Sequence, residues 1–192
     1  MITLLDFKDF VKSIKHVEVY SICSLKLIEK YKGVLPEVLI NTWVEQGFQK
    51  FGEGFLWTVD PDEFSYLLKL FVPQFNALDT QVLFRTAFGD FIFIHNNQIY
   101  SYSVVTSFLL KVGQKLETFI EFNLSRTSSL NDGYFFNTYK KAHKILGRIS
   151  EDEMYAYIPA LQLGGEMKTE NLYKQNMKAY LMMIAKLTDE HA

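Results

Sequence analysis

VLFRTAFGDFIFIHNNQIYSYSV, residues 82–104, decides the architecture. VLFRTAF, DFIFIH and QIYSYSV read as three strands, separated by turn signals at Gly89-Asp90 and Asn96-Asn97. An Asn pair tolerates positive φ, which a two-residue hairpin turn demands. Period-two alternation puts Ile92 and Ile94 on one face and Phe91 and Phe93 on the other. Apolar side chains on both faces predict a strand covered on both sides.

Upstream, GFLWTVD (Gly54–Asp60) reads as another strand, entered through the tight Gly52–Gly54 connection. Asp60-Pro61-Asp62-Glu63 then opens a helix: Asp60 caps, Pro61 takes the first helical position, and the two acids face the positive end of the helix dipole. Phe64, Leu67, Leu68 and Phe71 point that helix at a core, and Pro73 helps end it. Further back, Leu25, Ile28 and Tyr31 suggest a short helix, and PEVLINTWVEQGF another that stops at Gly47. Leu5, Phe7, Phe10, Val11 and Ile14 recur at helical spacing as well.

Downstream, Leu116, Phe119, Ile120 and Leu124 form one helical stripe and Tyr134–Leu146 another, divided by the polar interval Ser125–Gly133. A last amphipathic helix is expected over about Asn171–Thr188. The predicted fold class is α+β: a small, mostly antiparallel sheet from about residues 54–60 and 82–105, flanked by helices, followed by a mainly helical C-terminal part. The boundary is expected near 106–116, giving units 1–112 and 113–192 packed on each other.

Bulk composition excludes several classes. With 48% hydrophobic residues, 17 Phe, 11 Tyr and 2 Trp, the chain is a folded globular protein rather than a disordered one. Net charge is −2, and the basic excess of a general nucleic-acid binder is absent. A strongly acidic DNA mimic is not supported either. Cys23 is the one cysteine, so no internal disulfide forms and a reducing compartment is expected. The opening MITLLDFKDFVKSIK mixes acids and lysines among its apolar residues, which makes a poor signal peptide. No apolar run reaches the roughly 20 residues needed to span a bilayer. A cytoplasmic location without membrane contact is the expectation.

Catalytic and metal chemistry finds no foothold. His16, His95, His143 and His191 are scattered without ligand spacing, and Cys23 between Ile22 and Ser24 reads as buried packing. Asp60, Asp62 and Glu63 offer hard oxygens, yet their context already explains them as a helix start. Gly164-Gly165 lacks the motif of a phosphate cradle and stands beside Glu166, so a tight turn needing positive φ is the better reading. Lys140, Lys141, Lys144 and Arg148 crowd one helix, with Glu151, Asp152 and Glu153 close behind to neutralise them. No cofactor, no metal and no catalytic residue is assigned.

YAYIPALQLGGEMKTENL (Tyr155–Leu172) carries a further signal, an apolar run with one proline that ends on paired glycines. Together with IEKYKG (Ile28–Gly33), LPEVLINTWVEQGF (Leu35–Phe48), GEGFLWTVDPDEF (Gly52–Phe64), FRTAFGDFIF (Phe84–Phe93) and the segment Tyr139–Leu187, it resembles a two-part bacterial family. Members join a GAD-like N-terminal domain to a C-terminal immunity domain and look like proteins that neutralise DNase effectors of the type VI secretion system. Gln162 departs from the alanine common at that position. The resemblance implies a non-enzymatic inhibitor whose partner is a cognate DNase toxin, with no direct nucleic-acid contact and an oligomeric state left open.

Because a DNase presents a positive cleft to DNA, acidic side chains on an inhibitor would steer the two together. The expected partner surface is therefore Glu151, Asp152 and Glu153 with the loop bearing Pro159, Gln162, Gly164, Gly165, Glu166 and Glu170. Ordinary solvated charge is the competing reading of those acids. A small-molecule or peptide sensor on the same fold, without a toxin partner, is the alternative function.

Overall fold

The computed structural model describes Ile14 and residues 16–75 and 77–189. The helix expected around Leu5–Val11 lies outside them, as does His191. The fold is α+β: seven strands form one antiparallel sheet in simple chain order, and the C-terminal part is mainly helical. The strands are β1 (Val17–Ser21), β2 (Phe48–Phe51), β3 (Leu56–Thr58), β4 (Thr80–Thr86), β5 (Phe91–His95), β6 (Gln98–Ser103) and β7 (Phe108–Gly113).

The central hairpins follow from local chemistry. Asn96 and Asn97 both take positive φ, 48° and 57°, and turn β5 into β6 with Ile94 opposite Ile99. Phe91, Ile92 and Phe93 have no accessible surface, so β5 is covered on both faces as its pattern requires. Each such side chain contributes roughly 1.5–3 kcal/mol of transfer free energy.

Helices α1 (Leu25–Tyr31) and α2 (Glu37–Gln46) lie in sequence between β1 and β2. The Ser24 hydroxyl accepts the Leu27 N–H to start α1, and Gly47 at φ 77° stops α2. Helix α3 (Pro61–Lys69) connects β3 to β4 and begins as its sequence demands: Asp60 accepts the Asp62 N–H at 2.8 Å, and Pro61 follows.

After β7 come α4 (Leu116–Phe119, continued by a wider π turn over Ile120–Leu124), α5 (Thr127–Tyr134) and α6 (Phe136–Leu146). The polar interval Ser125–Gly133 is thus largely helical, with Leu130 its one fully buried residue. A two-stranded antiparallel ribbon, β8 (Glu153–Tyr157) with β9 (Leu172–Asn176), precedes α7 (Met177–Asp189). The last helix therefore starts later than its apolar stripe implies. Asn176 accepts the Ala179 N–H at 3.0 Å and caps it, while residues 172–176 are extended.

Both parts share one core running from Ile14 to Ile184. The ribbon docks through backbone as well as side chains, since Tyr155 donates its N–H to the Ala87 carbonyl at 2.8 Å. Gly89, at φ 78°, lies under the ribbon, where an added Cβ would meet the flexible Met154 Cε at 2.8 Å. The Tyr139 hydroxyl, on α6, donates to the Gly52 carbonyl at 2.7 Å.

Candidate partner-binding site

A cleft of about 300 Å³ opens where β1, the start of α3, β4, the turn before β8 and the start of α7 converge. Its charged lining is Asp60, Glu63, Arg85, Glu151, Asp152 and Lys178. Arg85 is 1% exposed, next in β4 to the buried apolar run Val82, Leu83 and Phe84. Opposite it across the β3–β4 pairing stands Trp57, and the guanidinium lies 4.2 Å from the centre of that ring. A flat, weakly hydrated guanidinium suits such a stack.

The rest of the guanidinium reaches across to the C-terminal part. It donates to the Glu151 carbonyl at 2.9 Å and more weakly to the Ser150 carbonyl at 3.5 Å. A further bond, at 3.4 Å, goes to the Thr86 carbonyl. Among the described residues Arg85 makes no ion pair, and burial pulls its pKa down to about 10. Its charge is held by neutral carbonyls and an aromatic face, with carboxylates nearby but not in contact.

The acids divide by use. Asp60 caps α3, and burial lifts its carboxyl above the usual range. Asp62 takes hydrogen bonds from Lys30 and from the Tyr31 hydroxyl, the latter at 2.6 Å. Glu63 pairs with Lys178 at the start of α7. Glu153 is half-buried and accepts the Ser150 N–H at 2.8 Å. Glu151 and Asp152 are exposed, and neither carboxylate enters a hydrogen bond or ion pair among the described residues. The Asp152 backbone carbonyl instead accepts the Met177 N–H at 2.8 Å.

The loop residues named from the sequence stand elsewhere. Glu151 and Asp152 sit at one end of the β8–β9 ribbon, and Pro159–Glu170 forms the loop at the other. At about 3.3 Å per residue the strand between them sets the two groups roughly 20 Å apart. Gln162 donates its amide to the Val104 carbonyl and to the Ser107 hydroxyl, tying the loop to the β6–β7 connection. Gly164 takes φ 83° as a tight turn requires. Gly165 is there for a different reason, close approach: an added Cβ would lie 1.9 Å from the Pro159 carbonyl oxygen. Glu166 pairs locally with Lys168 at 2.5 Å, whereas Glu170 and Pro159 are exposed.

Sequence reasoning did not pick out Arg85 or Lys178 as site residues. An arginine inside an apolar strand is a legible sign of a buried cation, but its partner lies 66 residues away.

Two domain families match the chain. A GAD-like domain matches residues 6–110, and the C-terminal domain of the T6SS (type VI secretion system) immunity protein Tdi1 matches residues 114–188. The chain thus belongs to the family of T6SS immunity proteins that joins these two domains. Among solved structures it is similar to Atu4351 from Agrobacterium tumefaciens, at 18% identity and a TM-score of 0.76, covering 94% of this chain and 88% of that one. At that identity the likeness speaks for the fold. No curated protein matches the chain. Among the described residues no helix is long and apolar enough to cross a membrane.

Proposed function

We propose that this chain is a non-enzymatic immunity protein, acting in the cytoplasm of the cell that makes it. It binds a cognate type VI DNase toxin and neutralises it as a stoichiometric complex, with no cofactor. The match to the Tdi1 C-terminal domain over residues 114–188 is the observation that carries this reading. The two matched segments support units of 1–112 and 113–192. The proposed partner surface is Glu151, Asp152 and Glu153 with the Pro159–Glu170 loop, of which Glu151, Asp152, Glu166 and Glu170 expose their side chains. Tight inhibitors of nucleases need roughly 800 Å² per partner with a few dominant anchors, and a surface spread along one ribbon can supply that area.

The sensor alternative calls for a closed, ring-lined pocket. Phe55 instead packs on Phe136 and Tyr139, at 4.7 and 5.2 Å. Co-expression of this chain with the nuclease encoded beside it tests the proposal. Restored growth and intact DNA are expected. Undiminished toxicity with no complex recovered would overturn the reading.

A further inference from the structure

We infer that the cleft over Arg85 is a socket for a lysine or arginine side chain on the DNA-facing surface of the toxin. This rests on the inhibitor reading above and names the place where it acts. Three independent features of the cleft converge on that occupant.

The first is charge. Four carboxylates, Asp60, Glu63, Glu151 and Asp152, face two cations, Arg85 and Lys178. Lys178 is paired with Glu63 and Arg85 is covered by carbonyls and by Trp57. Among the described residues Asp60, Glu151 and Asp152 have no cation of their own, and low-dielectric walls focus such a field outward. The second feature is order. The exposed acids do not ride on a loose loop, because the Arg85 guanidinium grips the Glu151 carbonyl and Asp152 accepts the Met177 N–H. A rim fixed from beneath presents its carboxylates with little ordering cost on binding.

The third is the lip. Ile22 lines the cleft yet is 89% exposed. Aliphatic side chains beside a charged well are what the methylene stem of lysine or arginine packs against. They also exclude water from the ion pair, the arrangement that surrounds dominant interface contacts. A nuclease surface that meets DNA must carry such cations. An anion reaching for Arg85 would first pass the free carboxylates, which argues against the opposite occupant.

The test uses the catalytically inactive cognate nuclease, titrated with wild type, the Glu151→Gln/Asp152→Asn double variant and Ile22→Ser at low and high salt. Both substitution sets change exposed side chains, and thermal melting checks that the fold is kept. The double variant is expected to raise Kd about tenfold or more, to slow association and to flatten its salt dependence. Ile22→Ser is expected to raise Kd several-fold with the salt dependence unchanged. Unaltered affinity in both variants overturns the socket while leaving the inhibitor reading intact. Tighter binding by the double variant also overturns it and points to an anion on Arg85. Absence of binding by the wild type removes both readings together.

Discussion

The Arg85 guanidinium donates to the Glu151 carbonyl at 2.9 Å, joining the middle of the sheet to the turn that opens the C-terminal ribbon. With Trp57 stacked on its other side at 4.2 Å, this one side chain ties a strand pair of the sheet to the seam between the two parts. The cleft exists because the seam is fixed there.

Replacing Arg85 with alanine removes three hydrogen bonds to carbonyls and the stack on Trp57. Charged hydrogen bonds and the lost packing together predict a cost of about 2–4 kcal/mol. Urea unfolding monitored by Trp fluorescence measures it. A loss under about 0.5 kcal/mol would show that the clamp contributes little.

The two loop glycines are predicted to respond differently. Gly165→Ala drives a methyl into the Pro159 carbonyl oxygen, and about 2–4 kcal/mol of destabilisation is expected. Gly164→Ala meets open space and only imposes positive φ, so about 1 kcal/mol is expected. Equal effects in chemical denaturation would contradict the close-approach account of Gly165.

Asp90 gives a pH signature. It accepts the Val104 N–H at 2.8 Å and the Thr86 hydroxyl at 2.9 Å, and burial raises its carboxyl pKa above 3.8. A raised acid holds its proton more tightly when folded, so it favours folding at low pH, and that stability is lost as pH climbs from 3.8 through the folded value. Relative to Asp90→Asn, wild type should lose about 1.4 kcal/mol per pH unit inside that window. Parallel urea titrations of both proteins from acid to neutral pH read the difference. A constant gap would contradict the assignment.

Cys23 is buried, and burial, with the charge of Asp60 adding to it, pushes its thiol up to about 11. A neutral, covered thiol is a poor nucleophile. The native protein should therefore resist a thiol-labelling disulfide reagent near pH 8, and label promptly in urea. Fast labelling of the native form would show that this segment opens.

Much of the architecture was written locally. The Asn96-Asn97 hairpin and the Asp60-Pro61 helix start are set by the backbone preferences of those residues, and the structure shows both. Strands β1, β2 and β7 were less legible. Among the described residues VEVYS and FLLKVG are the two edges of the sheet, where no second neighbour enforces a pattern. FQKF carries too few residues to show a period. The apolar stripe through Leu172 and Met177 predicts helix over residues 172–176, and the cap at Asn176 outweighs that stripe. The site was legible only in part. Glu151 and Asp152 stood out as charge, while their relation to Arg85, Asp60 and Lys178 is a product of chain crossing that no local spacing encodes.

The most direct test of the account is a titration of DNA cleavage by the cognate nuclease with increasing amounts of this chain. The account predicts a linear fall in cleavage that ends at one equivalent, with a complex of the two proteins recovered by gel filtration. Cleavage that persists at a large excess of the chain would contradict it.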